Sequence, residues 1–365
     1  GDLRSQTVQD VSTGTGYYQL FQLGTQTVPL MATNDWIVPL DDHFTRDYKA
    51  DEFVNAVVAG GSYEGSQYGV PIYHEATHLI YRKDVFEKLR MEPPESLEEM
   101  RAKAKKIDMD SDVSGVVLRG KRGAGLNHVS WKQYLQSFGG EWLDNFNKPY
   151  KAVFNSPEGR EATRWYTDMI RNYAPTGSQS AHWRDVMSLF MAGQAAMTID
   201  ATSIGRRIVT ADASQVKGKT SFKTFPAGPA GSYPWFFSWN IGVSKVGTQG
   251  LTREAAIDYA MWATSPSMKM DMMNELGTLP ARSSSLQSQA AREKYGKPNM
   301  SNWLSNTLES LDNKQAAEDP VIAKIPEWPG IGGTIGLHLE KIFTGSKSVK
   351  SGLKDAQKAI NDESW

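Results

Sequence analysis

Residues 73–81 read "YHEATHLIY", which holds two histidines four apart with Glu75 directly after the first. On a helix such a pair shares a face and can bind one zinc ion, with the glutamate acting as general base in peptide hydrolysis. The flanking residues predict another conformation. Gly69, Val70 and Pro71 are turn chemistry, while Tyr73, Thr77, Ile80 and Tyr81 favour strands. A helix is expected only after Arg82, opening at Asp84. In an extended run His74 and His78 lie ~13 Å apart at ~3.3 Å per residue, too far for one ion. No downstream H-x-x-G-x-x-H supplies a third ligand. The preferred expectation is an extended segment on which Tyr73 and Glu75 share a face and carry polar tips into a cleft or onto the surface. A zinc protease on His74 and His78 is the minor alternative.

Two other stretches could do chemistry. Glu75 and Asp200 form the one carboxylate pair available to a glycosidase, which needs two carboxyl groups ~5–10 Å apart. The run "GIGGTIGLH" invites comparison with a phosphate cradle, but it lacks G-K-S/T and no strand precedes it. Its glycines are expected instead to let a helix N-terminus approach neutral ligand oxygens. Aromatic residues are plentiful: 11 Trp, 14 Tyr and 13 Phe. Most aromatics are core residues, yet Trp also stacks on sugar ring faces while its N–H donates a hydrogen bond.

These residues need elements to hold them, and the chain is long enough to build them. Its 365 residues allow two ordinary domains or one large one. It is 39% hydrophobic and 22% charged, which is ample for a core. Forty Lys+Arg against 41 Asp+Glu give a formal net charge of −1, so no basic excess points to nucleic acid. A neutral chain also steers no charged ligand, which suits an uncharged small molecule. Absence of cysteine excludes disulfides, thiolate zinc sites, a Cys nucleophile and a lipid-modified N-terminal Cys on this form of the chain. No apolar run reaches the ~18 residues of a membrane span. No signal peptide is recognised, which fits either a cytoplasmic protein or a processed, exported one.

Along the chain, "GDLRSQTVQDVSTGTG" predicts a helix and a Gly/Thr turn, and "YYQLFQLG" a buried strand. "TVPLMATNDWIVPLDDHF" predicts a short helix and a surface turn. "PPESLEEMRAKAKKI" has Pro94 near a helix start and acids in its first turn. "SGVVLRG" reads as a compact strand. Residues 129–138 read as a helix ending at Gly139-Gly140. "NSPEGREATRWYTDMIRNY" reads as an amphipathic helix capped by Asn155 or Ser156, with Pro157 first. "WRDVMSLFMAGQAAMTID" predicts a helix, a stop at Gly193 and a strand; "KGKTSFKTFPAGPAGSYPWFFSWNIGVSK" predicts two strands around a Gly/Pro loop. "TREAAIDYAMWATSPSMKMDMMNELGTLPAR" predicts two helices parted at Ser265-Pro266, and "SVKSGLKDAQKAINDESW" a polar amphipathic helix. Strands alternating with helices make the fold class α/β.

In that order the elements resemble a known family. "YGVPIYHEATHLIYRKDVFEKL" resembles the first interlobe crossover of extracytoplasmic solute-binding proteins of ABC importers, in the sugar- and polyol-binding, maltose-binding-protein-like branch. "LFMAGQAAMTIDATS" resembles that family's F-x-x-G-x-x-A-M-x-x-D/N-G element. "SWNIGVSK" with the helix pair after it resembles the second crossover, "GTLPARSS" the third, and "KSGLKDAQKAIN" the C-terminal helix. "LRGKRGAG" and "FGGEWLD" are similar to polyol-binding members. The family's opening strand, long helix and second strand, ~40–60 residues, find no counterpart ahead of "LRSQTVQD".

The resemblance implies a two-lobed periplasmic-binding-protein fold of class II, with three interlobe crossovers, a hinge and a central ligand cleft. Lobe one would be 1–78 plus 243–282, and lobe two 82–236 plus 286–365. It implies a monomer in the periplasm, its signal peptide removed. Such a protein captures a carbohydrate or sugar alcohol and delivers it to ABC permease transmembrane subunits by hinge closure. No catalytic residue, metal, cofactor or nucleic-acid partner is implied.

Ligand sites in open α/β sheets lie beyond the carboxyl ends of strands. Gly24, Thr25 and Gln26 follow one strand; Thr25 and Gln26 would meet a ligand hydroxyl, or form an ordinary turn. Glu75 matches the family position where a crossover carboxylate accepts from sugar hydroxyls, with Tyr73 and His74 beside it. Arg119, after "GVVL", would fork onto two hydroxyls or an acid, or form a surface ion pair. Asp200 and Ala201 follow "AMTI", the Asp as an acceptor for vicinal hydroxyls. Ser238 and Trp239 lie on the second crossover, with Trp239 the first choice of stacking platform. Trp142, after Gly139-Gly140, and Trp328, in the loop "PEWPGIGG", are further aromatic candidates. Asn127 and His128 rank below them. Polyol, monosaccharide, disaccharide and charged sugar derivative all stay open, with Arg119 and His74 keeping the anionic option.

Overall fold

Among the described residues seven strands carry the fold: β1 (Leu20–Gly24), β2 (Ser62–Tyr63), β3 (Ser66–Gln67), β4 (Gly69–Arg82), β5 (Met197–Ala201), β6 (Thr220–Thr224) and β7 (Phe236–Val243). The structure, a computed structural model, describes residues 2–123, 126–144, 148–276, 280–297, 300, 302–312 and 324–363. Part of the third crossover expected at "GTLPARSS", namely Gly277, Thr278 and Leu279, lies outside them. The chain divides into two units. Unit 1 is Gly1–Glu75, Phe236–Lys294 and Ala317–Pro329; unit 2 is Ala76–Trp235, Tyr295–Ala316 and Gly330–Trp365.

In unit 1, β1 pairs antiparallel with β7, Leu20 opposite Val243 and Gly24 opposite Trp239. Phe21 and Leu23 are buried while Gln22 between them is exposed, the two-residue period of a one-sided strand. Phe21 and Leu23 cluster with Val11, Val28, Met31 and Ile37. A second cluster holds Val70 and Val243 against Ala256, Ile257 and Ala260 of the helix Gly250–Ala263, whose spacing makes one apolar stripe. Arg282 is fully buried there, its guanidinium 4.8 Å from the Tyr48 ring centroid and 4.0 Å from that of Phe53.

In unit 2, β4 is the central strand. Leu79 lies opposite Ile199 of β5 and opposite Lys223 of β6, both antiparallel. Partners on both edges and cover on both faces bury every residue of 76–80. The helices start where capping chemistry predicts. Ser96 accepts from the Glu99 N–H ahead of Leu97–Asp110, and Ser156 from the Gly159 N–H ahead of Pro157–Asn172, with Pro157 in the first turn. The helix Asn127–Ser137 ends near Gly139, whose φ of +87° favours glycine.

Two expectations are corrected. "SGVVLRG" is not a strand: it makes a single parallel bridge, Ser114 to Ala195. Its N–H groups serve different partners, Val116 to the Tyr173 carbonyl, Val117 to Met197 and Gly120 to Ala181. Gly115 lies flat on the helix Leu97–Asp110, where a Cβ would come 2.3 Å from the Ala104 oxygen. "PEWPGIGG" is not a loop from Trp328 onward, since Trp328 opens the helix Trp328–Phe343. Pro329 suits a first turn, and the buried Ile331, Ile335, Leu339 and Ile342 form a helical stripe that outweighs the glycines.

Candidate ligand site

On β4 of unit 1, Tyr73 and Glu75 share a face, as residues two apart on a strand must. On β7, Phe237 and Trp239 share a face by the same rule. The two faces meet. The Trp239 indole Nε1–H donates to Glu75 Oε2 at 3.3 Å. The Tyr73 and Trp239 rings stack with centroids 6.0 Å apart and planes 26° apart, and Phe237 tilts against Trp239 at 5.1 Å. Gln22, exposed on β1, donates from Nε2 to Tyr73 Oη at 3.5 Å. Gly24 makes room: a Cβ there would sit 2.7 Å from the Phe237 ring. Tyr73, Glu75 and Trp239 are all half-buried. The result is a carboxylate oriented by an indole and flanked by aromatic rings. Such a group accepts from hydroxyls while the rings cover C–H faces. Sequence reading missed Gln22 and Phe237, although both follow from counting by two along β1 and back from Trp239.

The other unit 1 candidates are engaged within the fold. Thr25 Oγ1 accepts the Ser238 N–H at 3.0 Å and donates to the Ser238 carbonyl at 3.1 Å. Ser238 Oγ donates to Asn240 Oδ1 at 3.1 Å, and Asn240 Nδ2 donates to the carbonyls of Leu23 and Gly60. All three side chains are buried and tie β1 to β7. Gln26, 8% exposed, sits in the short 3-10 helix Thr25–Thr27. His74 points to the face opposite Glu75, where its ring lies parallel to Phe236, 5.8 Å away at 11°. Burial pushes its pKa down to about 4, so the imidazole is neutral at physiological pH. Trp328 is fully buried at its helix start.

In unit 2, Arg119 and Asp200 find each other. Arg119 Nε donates to Asp200 Oδ2 at 3.0 Å, and Nη2 donates to Oδ1. The Ala201 N–H donates to Asp200 Oδ1 at 2.7 Å, and Tyr166 Oη donates to the Arg119 carbonyl at 2.8 Å. The side chains are 6% and 0% exposed. The fork and the carboxylate offered separately to a ligand thus satisfy one another, as a buried charge requires. Trp142 is 1% exposed and packs edge-on to Trp131. Asn127 Nδ2 donates to the Gly120 and Gly336 carbonyls, both at 3.0 Å. His128 is buried beside it.

The two histidines of "HEATH" lie on an extended strand, His74 in unit 1 and His78 in unit 2. His78 Nδ1 is 3.1 Å from Asn306 Oδ1, which makes Nδ1 the donor, and burial pushes its pKa down to about 3. Among the described residues no three of His, Cys, Asp and Glu gather as metal ligands.

Comparison with known proteins agrees with this architecture. A mannitol-binding protein of Pseudomonas aeruginosa is 26% identical over 378 residues, which span 99% of this chain and 84% of the relative. A solute-binding protein of an ABC transporter from Agrobacterium vitis S4, solved with bound D-mannitol, superposes with a TM-score of 0.84 at 28% identity, covering 98% of this chain and 87% of the other. A counterpart from Agrobacterium radiobacter K84, in complex with ribitol, superposes with a TM-score of 0.88 at 24% identity, covering 99% and 88%. The fold is the two-lobed α/β fold of these proteins. Residues 1–270 match the family model described as bacterial extracellular solute-binding protein, and the chain belongs to that family.

Proposed function

We propose that this protein captures an uncharged sugar alcohol or small sugar outside the cytoplasmic membrane and hands it to the transmembrane subunits of an ABC permease. It does so as a monomer and without chemistry on the cargo. The observation that carries this is the Glu75 carboxylate, held by the Trp239 indole and flanked by the Tyr73 ring. That set meets hydroxyls with an acceptor and carbon chains with aromatic faces. Support for a polyol comes from the relatives with mannitol and ribitol. Support for a neutral cargo comes from the two groups that kept an anion in view: Arg119 is matched by Asp200, and His74 is neutral. Asp200 makes a poor glycosidase partner for Glu75, because both its oxygens already accept hydrogen bonds. A net charge of −1 offers nucleic acid nothing. Cargo release would follow a hinge movement at β4, whose residues 69–75 belong to unit 1 and 76–82 to unit 2.

The test is a thermal-shift and calorimetry screen of the metal-stripped protein against D-mannitol, ribitol, D-tagatose, maltose, a sugar acid and zinc. A melting point rising with the concentration of one neutral polyol or sugar is expected. A shift with zinc alone, or turnover of a chromogenic glycoside, overturns the proposal.

A further inference from the structure

Gly24 stands directly across the β1–β7 ladder from Trp239. Its backbone does not need a glycine: φ is −78° and ψ 151°, extended values open to any residue. The reason for glycine is space. A Cβ at position 24 would lie 2.7 Å from Cζ and 2.9 Å from Cε1 of Phe237, closer than carbon atoms pack, and 3.6 Å from Cζ3 of Trp239. The Phe237 ring thus occupies the place of the missing side chain.

That ring has little room to retreat. It is 3% exposed, and Trp239 tilts against it with centroids 5.1 Å apart and planes at 58°. The backbone of β1 is held as well. Thr25, the next residue, is fastened to Ser238, which lies between Phe237 and Trp239: its Oγ1 accepts the Ser238 N–H at 3.0 Å and donates to the Ser238 carbonyl at 3.1 Å. Gly60 packs so closely behind them that a Cβ there would lie 2.8 Å from both Ser238 Cβ and Thr25 Oγ1. The soft member of the set is Trp239, half-buried, with its indole N–H on Glu75 Oε2 at 3.3 Å. A packed interior does not absorb an added methyl group without a shift, and here the shift falls on the Trp239 ring.

We propose that Gly24 and Phe237 are positioning residues of the cargo site: the space left by the absent side chain seats the Phe237 ring, and that ring sets the Trp239 indole against Glu75. Both act through Trp239 and not by touching the cargo. The proposal rests on the capture of a polyol or sugar at Glu75 and Trp239, and it adds what holds that platform in place. All four residues belong to unit 1.

The experiment is a pair of double-mutant cycles read by calorimetric titration with D-mannitol, ribitol, D-tagatose and maltose. Gly24→Ala is measured alone, with Phe237→Leu and with Trp239→Phe. For whichever probe the wild type binds, Gly24→Ala should weaken binding about tenfold, the loss of one hydrogen bond. Phe237→Leu alone, which removes the ring that props Trp239, should weaken it about fivefold. Added to Phe237→Leu or to Trp239→Phe, Gly24→Ala should cost less than about twofold more, because the clash or the indole bond is already gone. Ligand-free melting points report folding, and Phe237→Leu decides if Gly24→Ala does not fold. Gly24→Ala within about twofold of the wild type overturns the inference and leaves the proposed function standing. So does a tenfold loss that persists in the Trp239→Phe background, which would put position 24 against the cargo itself. A wild type silent to every probe overturns both.

Discussion

The indole nitrogen of Trp239 lies 3.3 Å from Oε2 of Glu75, although 164 residues separate them in the chain. One hydrogen bond therefore ties the second crossover strand to the carboxylate of the first within unit 1.

That bond separates charge from shape. Glu75→Gln keeps the size and removes the charge, and charge-assisted hydrogen bonds are worth ~1.5–3 kcal/mol. Affinity for the cargo should fall by about 10- to 100-fold in calorimetry. Trp239→Phe keeps ring cover and loses the N–H, so its loss should be smaller, and Trp239→Ala should lose both. Unchanged affinity in Glu75→Gln would remove the carboxylate from the site.

The closed pair in unit 2 should behave as a structural element. Arg119→Met leaves the Asp200 carboxylate buried, with the Ala201 N–H on one oxygen but its guanidinium gone. Breaking a buried pair from one side costs ~3–5 kcal/mol, so urea denaturation should show a loss of that order. Arg119→Met combined with Asp200→Asn should lose less than the two single changes added together, because no lone buried charge remains. Additive losses would mean the two residues act independently.

Several parts of this arrangement can be read from the chain and others cannot, for local reasons. The strand across "HEATH" is visible because Gly69, Val70 and Pro71 break any helix and the residues after them are strand formers. That Tyr73 and Glu75 share a face follows from the period of two. Their meeting with Trp239 depends on how β7 is placed, which no local spacing states. The same holds for Arg119 and Asp200, 81 residues apart. In the sequence neither residue shows the other as its partner. "SGVVLRG" misleads because its apolar run is genuine, whereas strand pairing depends on where its N–H groups find acceptors.

Acid should destabilise the protein before its carboxylates titrate. His74 and His78 have folded pKa values pushed to about 4 and about 3 by burial, from an unfolded value near 6.5. Between those limits the unfolded chain binds protons that the folded one refuses, so stability is full above pH 6.5 and falls as pH drops toward the folded values. Each full unit crossed costs about 1.4 kcal/mol per histidine. Urea midpoints at pH 7 and pH 5 should differ, and His74→Phe, which preserves the stack on Phe236, should narrow the difference. An identical drop in that variant would show that His74 is not a source of the acid sensitivity.

Arg282 is the last test, because its role is defined by what surrounds it. The guanidinium lies over the rings of Tyr48 and Phe53, and it donates to the carbonyls of Thr264, Lys49 and Tyr48. Those carbonyls belong to two separate stretches of unit 1, so one side chain closes the turn at 48–49 onto the end of the helix Gly250–Ala263. Glu52 approaches to 3.5 Å and offsets the charge. Arg282→Met would keep apolar contact with the rings and leave the Thr264 and Tyr48 carbonyls without this donor, at ~1–3 kcal/mol for each that stays dry, while the Lys49 carbonyl still accepts the Glu52 N–H at 3.1 Å. A loss of at least about 2 kcal/mol in urea denaturation is expected. Arg282→Lys should recover little of it, because an ammonium on a flexible stem cannot offer the planar fork of donors that reaches these carbonyls over the two rings. A lysine variant as stable as the wild type would show that the charge alone, and not the planar fork, holds this part of unit 1 together.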